Sequence, residues 1–71
     1  MPRIIGKFTI NNCIQELRNL KKMTQQDLAD AVDVTRATII ALEKGSYNPS
    51  LELAFRLAKF FQVKIDEIFF E

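Results

Sequence analysis

Residues 24–45, TQQDLADAVDVTRATIIALEKG, constrain the fold more than any other part of the chain, because helix starts and a helix stop crowd into this one segment. Thr24 can accept a hydrogen bond from the amide of Asp27, and Asp27 puts negative charge in the first turn, where the helix dipole favours it. Leu28, Ala29 and Val32 then make an inward stripe. Asp33-Val34 breaks this run, and Thr35 caps a second one, with Val34 and Ile39 spaced to clasp each other across its first turn. Gly45 can take the left-handed conformation that closes a helix, so the second run is predicted to end at Lys44. Two short helices therefore meet across a turn of about three residues, the spacing of a helix-turn-helix.

The flanking segments supply what this pair packs against. Ile10, Ile14, Leu17 and Leu20 recur on one helical face, and Asn12 followed by Gln15 reads as a polar cap, predicting a first helix over about residues 12–22. Asn48-Pro49 marks a turn and Ser50 caps the next helix, LELAFRLAKFF. Its apolar positions, Leu53, Leu57 and Phe60 with Leu51, Ala54, Ala58 and Phe61, make it wide-faced and central. Beyond Gln62, Val63 and Ile68 repeat the clasp around a short helix starting near Lys64. Residues 1–10, MPRIIGKFTI, alternate through Ile4, Phe8 and Ile10, the pattern of a short strand or an ordered arm. The predicted organisation is one domain over residues 1–71: an arm at 1–11, a helical domain at 12–70, and the helix-turn-helix at 25–44.

A chain of 71 residues, 48% of them hydrophobic, has room for one core. Its single Cys13 excludes an internal disulfide, and with no histidine to complete a metal site the fold must rest on packing. Cys13 reads as a small hydrophobe in a reducing, cytoplasmic setting. No run approaches the roughly 18–20 apolar residues of a membrane span, and no leader pattern is present, so a soluble protein is expected. Asp27, Asp30 and Asp33 recur every three residues but lack the loop and further oxygens of a cation site, and read as a solvated face. The residue sets for acid–base, nucleophilic and phosphate-loop chemistry are missing, so no catalytic residue, metal or cofactor is expected, and no small-molecule ligand. Ten Lys and Arg against nine Asp and Glu give a net charge of +1, which by itself does not point to nucleic acid.

The combination of Thr24-Gln25, Ala29, Val34-Thr35, Glu43-Lys44-Gly45 and Asn48-Pro49-Ser50-Leu51 resembles the Cro/CI-type, or XRE, helix-turn-helix family of bacterial and phage DNA-binding regulators. The likeness extends over about residues 12–70. It implies an all-α, compact five-helix domain of the phage-repressor type, with helix 36–44 in the DNA major groove and the start of the preceding helix on a phosphate. It also implies a buried ion pair between Arg18 and Glu43. Lys22, Asp33 and Gln62 depart from the pattern, standing where the family most often has Gly; if those turns keep a positive φ, each costs roughly 1 kcal/mol, somewhat less for Asp. Lys64 stands at a capping position that usually holds a short polar residue, so the last helix is expected to fray.

At about 100° per residue, turning Ile39 and Leu42 inward leaves Ala37, Ile40, Ala41 and Lys44 outward, with Arg36 and Thr38 on the flanks. Small Ala37 and Ala41 let a helix backbone approach base edges, Arg36 can pair bidentately with guanine, and Ile40 can pack on a thymine methyl, so these four are the expected base contacts. Gln25, Thr35, Thr38, Lys44, Lys21 and Lys22 are the expected phosphate contacts. Across residues 24–44 the acids Asp27, Asp30, Asp33 and Glu43 outnumber the bases Arg36 and Lys44, and their orientation decides how well DNA is tolerated. Consecutive Phe69 and Phe70 cannot both point inward. These features together read as a sequence-specific double-stranded DNA-binding regulator, a repressor acting as a homodimer through its C-terminal helix (Ile68, Phe69, Phe70) or the arm at residues 3–10. The alternative is a protein-interaction module, such as an antitoxin or accessory subunit, on the same scaffold.

Overall fold

A helix of seven residues leaves most of its backbone groups without intrahelical partners, so its ends decide whether it forms. In the computed structural model, which describes residues 10–71, the elements are β1 (Asn11–Asn12), α1 (Ile14–Leu20), α2 (Gln25–Ala31), α3 (Arg36–Lys44), α4 (Leu51–Phe61), α5 (Ile65–Ile68) and β2 (Phe69–Phe70). The expected caps are made. Thr24 Oγ1 accepts from Asp27 N at 3.0 Å while Asp27 Oδ2 accepts from Thr24 N at 2.9 Å, a closed capping box. Thr35 accepts from Thr38 N at 3.2 Å, and Ser50 from Leu53 N at 3.1 Å.

The C-terminal ends of α1 to α4 share one closure. Each continues into a residue of positive φ: Lys22 at 58°, Asp33 at 62°, Gly45 at 77° and Gln62 at 59°. The following amide reaches back five residues, Met23 to Arg18 O at 3.0 Å, Val34 to Ala29 O at 2.9 Å, Ser46 to Ala41 O at 3.1 Å and Val63 to Ala58 O at 3.0 Å. This is the Schellman motif, and three of its four left-handed positions carry a side chain rather than Gly. Met23, Val34 and Val63 then pack against the core, so apolar burial by the next residue offsets the strain at Lys22, Asp33 and Gln62.

α4 supplies Leu53, Ala54, Leu57, Ala58 and Phe61 to the core; α2 supplies Leu28 and Ala29, α3 supplies Ile39 and Leu42, and Ile14, Val32 and Ile68 complete it. Two residues expected inward are not: Leu20 is 79% exposed and Leu51 71%. They are the last residue of α1 and the first of α4, so each overhangs the core at a helix end. No helix among the described residues is long and apolar enough to cross a membrane.

The N-terminal boundary differs from the expected one. Asn12 lies in β1 and pairs antiparallel with Phe69, as Asn11 does with Phe70, so the all-helical reading gains a two-stranded sheet and α1 begins at Ile14. Asn12 still serves the helix start, its Oδ1 accepting from Ile14 N at 3.1 Å, while its Nδ2 donates to Leu42 O at 2.9 Å and ties the sheet to the end of α3. Gln15 completes no capping box there. The strand or arm expected before residue 10 lies outside the described residues. At the other end α5 is one turn long, the chain passing straight into β2 at Phe69; at its start Lys64 has no acceptor to offer, and Glu67 Oε1 accepts from Lys64 N at 2.7 Å. Cys13 donates its thiol to Glu67 O at 3.3 Å, and burial, with Glu16 nearby, raises its pKa above the ordinary thiol range, keeping it protonated.

Gln62→Gly should raise stability by about 1 kcal/mol, roughly 4–8 °C in Tm for a domain of this size, because it removes the left-handed penalty at an exposed site; a lower midpoint in denaturant would contradict the strain. Hydrogen bonds from Thr24 hold the Asp27 carboxyl below its ordinary pKa. Its contribution is therefore present above the unfolded value of about 3.9 and lost as pH falls through the folded one. Wild type should be more stable than Asp27→Asn at neutral pH, and the two should converge in acid; a constant difference would show that the charge plays no part.

Candidate nucleic-acid interface

α3 is oriented by a bidentate ion pair. Arg18 Nε donates to Glu43 Oε2 at 2.8 Å and Nη2 to Glu43 Oε1 at 3.1 Å, with the side chains 11% and 6% exposed. Arg18 Nη1 donates to Met23 O at 2.9 Å, and Gln25 Nε2 to Glu43 Oε1 at 3.1 Å. The network joins the end of α1, the turn after it, the start of α2 and the last turn of α3. Its planar fork fixes an angle that a flexible point charge would not. The pair implied by the family resemblance is thus present, with one member added: the Gln25 amide, expected on phosphate, is turned to Glu43.

With Ile39 and Leu42 fully buried, α3 leaves Arg36, Ala37 and Lys44 exposed and Thr38, Ile40 and Ala41 half-buried. Two open hollows flank this ridge. One is lined by Arg18, Met23, Thr24, Gln25, Gln26 and Arg36, so Arg36 shares a hollow with the start of α2. The other is lined by Ala37, Thr38, Ala41 and Tyr47. The hydroxyls of Thr35 and Thr38 lie 3.0 Å apart and bond each other, with Thr35 exposed. Lys22 is exposed at the end of α1, while Lys21 lies with its Nζ 5.9 Å from the centre of the Phe60 ring on α4. Lys21 and Lys22 line neither hollow.

The four acidic residues of 24–44 each have a place of their own. Glu43 is inside the ion pair, Asp27 is bonded to Thr24 N, and Asp30 Oδ1 accepts from the Gln26 amide at 2.9 Å. Asp33 lines a separate hollow with Arg56 and Lys59. None of the four lines either hollow beside α3. Glu43, Asp27 and Asp30 are thus held by residues that line the first hollow, Arg18, Gln25, Thr24 and Gln26, and do not line it themselves.

Gln26 and Tyr47 lie at the site without having been singled out from the sequence. The signal for Tyr47 is its place two residues past Gly45, where a Schellman closure folds the chain back beside the helix it ends. The C-terminal surface needs a correction: Ile68 is fully buried within the monomer and cannot meet a partner. Phe69 is half-buried against the core and Phe70 is 46% exposed, so the expected division of the two phenylalanines is found. Phe69 also lines an apolar hollow with Ile10, Pro49, Leu51, Ala54 and Ile65.

Two capped helices at this spacing, locked by a buried ion pair and presenting a slim ridge, define a helix-turn-helix domain. The helix-turn-helix family model matches residues 14–68, and the chain belongs to that family, in its XRE or Cro/CI type. It is 55% identical over 60 residues to an HTH-type transcriptional regulator of Methanocaldococcus jannaschii, covering 84% of this chain and 91% of that one. It is 38% identical over 55 residues to the cryptic phage CTXphi transcriptional repressor RstR of Vibrio cholerae, covering 78% of this chain and 50% of that one. Among solved structures, the restriction-modification controller protein C.AhdI of Aeromonas hydrophila superposes with a TM-score of 0.70 at 30% identity, over 76% of this chain and 82% of that chain.

Glu43→Ala strands the Arg18 charge and should cost about 3 kcal/mol, the low end for a buried pair because the Arg18 side chain keeps 11% of its exposure and its bond to Met23 O. Replacing both partners, Arg18→Met with Glu43→Leu, should recover most of that loss in denaturant unfolding. A single-variant cost near zero would show that the pair does not hold α3.

Proposed function

We propose that this chain is a sequence-specific double-stranded DNA-binding transcriptional regulator that lays α3 in the major groove. The observation that carries this reading is the ridge of Arg36, Ala37, Ile40 and Ala41, beside two open hollows that none of the acids of residues 24–44 lines. The groove, about 12 Å wide, admits a helix whose leading residues are small, and Arg36 in the first turn suits guanine O6 and N7. Ile40, half-buried, keeps enough surface for a thymine methyl. Lys44, Lys22 and Thr35, the last held by the Thr38 hydroxyl at 3.0 Å, serve the phosphates from either end of the ridge, Lys21 by swinging from the Phe60 ring, and Gln25 through the amide end of α2 while its side chain stays on Glu43.

A single recognition helix buries little surface, so tight selective binding calls for two copies on half-sites about 34 Å apart. We assign the pairing surface to exposed Phe70 and Leu51 with the neighbouring Phe69, in place of Ile68. An operator lying across a promoter would let the bound chain block transcription, and RstR is a named repressor although BcrR of Enterococcus faecalis is a named activator; repression is the mode we propose. No catalytic step is assigned.

Selection from a random duplex pool at two salt concentrations tests this reading. A symmetric consensus with salt-dependent affinity is expected, whereas absence of duplex binding together with a co-purifying protein would replace it with an interaction module. Arg36→Ala should lose about 1–3 kcal/mol at one base step and relax preference there; an equal loss on every sequence would make Arg36 a phosphate contact. Lys44→Ala should lower the logarithmic salt slope by about 0.9 in magnitude, and an unchanged slope would remove Lys44 from the phosphate set.

A further inference from the structure

The chain leaves α3 by a turn that brings Tyr47 to line a hollow with residues of the same helix. Gly45, at φ 77°, donates its N–H to Leu42 O at 3.0 Å. Ser46 donates both its N–H and its hydroxyl to Ala41 O, at 3.1 and 3.2 Å. With two consecutive residues anchored to the last turns of α3, the third, Tyr47, is brought back over the ridge. There it completes a hollow of about 270 Å³ with Ala37, Thr38 and Ala41 and remains 45% exposed.

The chemistry of that hollow is narrow. Ala37 and Ala41 offer only methyl groups, Thr38 has its hydroxyl on Thr35 at 3.0 Å, and Tyr47 adds a ring face. No charged side chain lines it. In the major groove the C5 methyl of thymine is the one apolar group that projects from a base edge, while the donors and acceptors of the other edges would find few partners here beyond the Thr38 and Tyr47 hydroxyls.

We infer that Tyr47 is a specificity-determining residue, whose ring, with Ala37 and Ala41, encloses the C5 methyl of one thymine per half-site. The inference rests on the DNA-reading role proposed for α3 and adds to it a contact from outside the helix. It is distinct from the Ile40 contact, since Ile40 does not line the hollow. The phenol hydroxyl has no part in the enclosure.

In the duplex selected from the random pool, each thymine is replaced in turn by deoxyuridine, which removes the methyl and nothing else. Affinity is read by fluorescence anisotropy for the wild-type chain, Tyr47→Phe and Tyr47→Ala. One position per half-site should weaken wild-type binding about fourfold, the effect of one buried methyl. 5-Bromodeoxyuridine at that position should restore affinity, Tyr47→Phe should keep the discrimination, and Tyr47→Ala should abolish it while still binding the duplex. The scan on the wild-type chain needs no variant to fold, and thermal unfolding checks both variants. Loss of discrimination in Tyr47→Phe, its survival in Tyr47→Ala, or the absence of any sensitive thymine overturns the inference while duplex binding itself stands. Failure to select any duplex overturns the inference and the DNA-reading role together.

Discussion

The bidentate contact between Arg18 and Glu43 is the interaction on which the rest of the molecule depends. It spans α1 and α3, and through Met23 O and the Gln25 amide it also takes hold of the turn before α2 and the start of α2. The hydrophobic core can tolerate a helix rotated by a few degrees, since dispersion and burial are not directional. A planar fork on a carboxylate is directional, and it is made at 2.8 and 3.1 Å. We take its contribution to be the aim of α3 more than net stability, because replacing such a pair with apolar residues is often neutral.

Around that lock, helices too short to persist alone are made to stop at defined residues. The same closure recurs after α1, α2, α3 and α4, and at Lys22, Asp33 and Gln62 a side chain occupies the left-handed position that Gly45 occupies after α3. The arrangement persists because the following residue, Met23, Val34 or Val63, is pressed into the core. After α3 the following residue is Ser46, exposed and bonded to Ala41 O, and here the chain turns over the ridge instead of into the interior. One backbone motif thus serves packing three times and the candidate site once.

Local chemistry was the legible part of the sequence. Thr24, Thr35 and Ser50 cap where a hydroxyl before an apolar run says they should, and the inward stripe Leu28, Ala29 and Val32 follows from helical period alone. The outward face of α3 was legible for the same reason. Pairing of Asn11–Asn12 with Phe69–Phe70 was not, because two-residue strands carry no period and their partners lie at opposite ends of the described chain. Leu20 and Leu51 match an apolar stripe but sit where the helix runs past the core, a matter of length that periodicity does not encode. Gln25 looks like a free polar residue until Glu43, 18 residues on, is seen to claim its amide. The orientation of Asp30 and Asp33 likewise depended on neighbours that only the folded chain provides.

The central claim is that the exposed side of α3 and its two margins meet DNA while the surface around Leu51 and Phe70 does not. Amide chemical-shift mapping during titration with the selected duplex reads this residue by residue. The largest changes are expected at Gln25, Gln26, Arg36, Ala37, Ala41, Lys44 and Tyr47. Changes centred on Leu51, Phe69 and Phe70, with the α3 amides unmoved, would contradict the account.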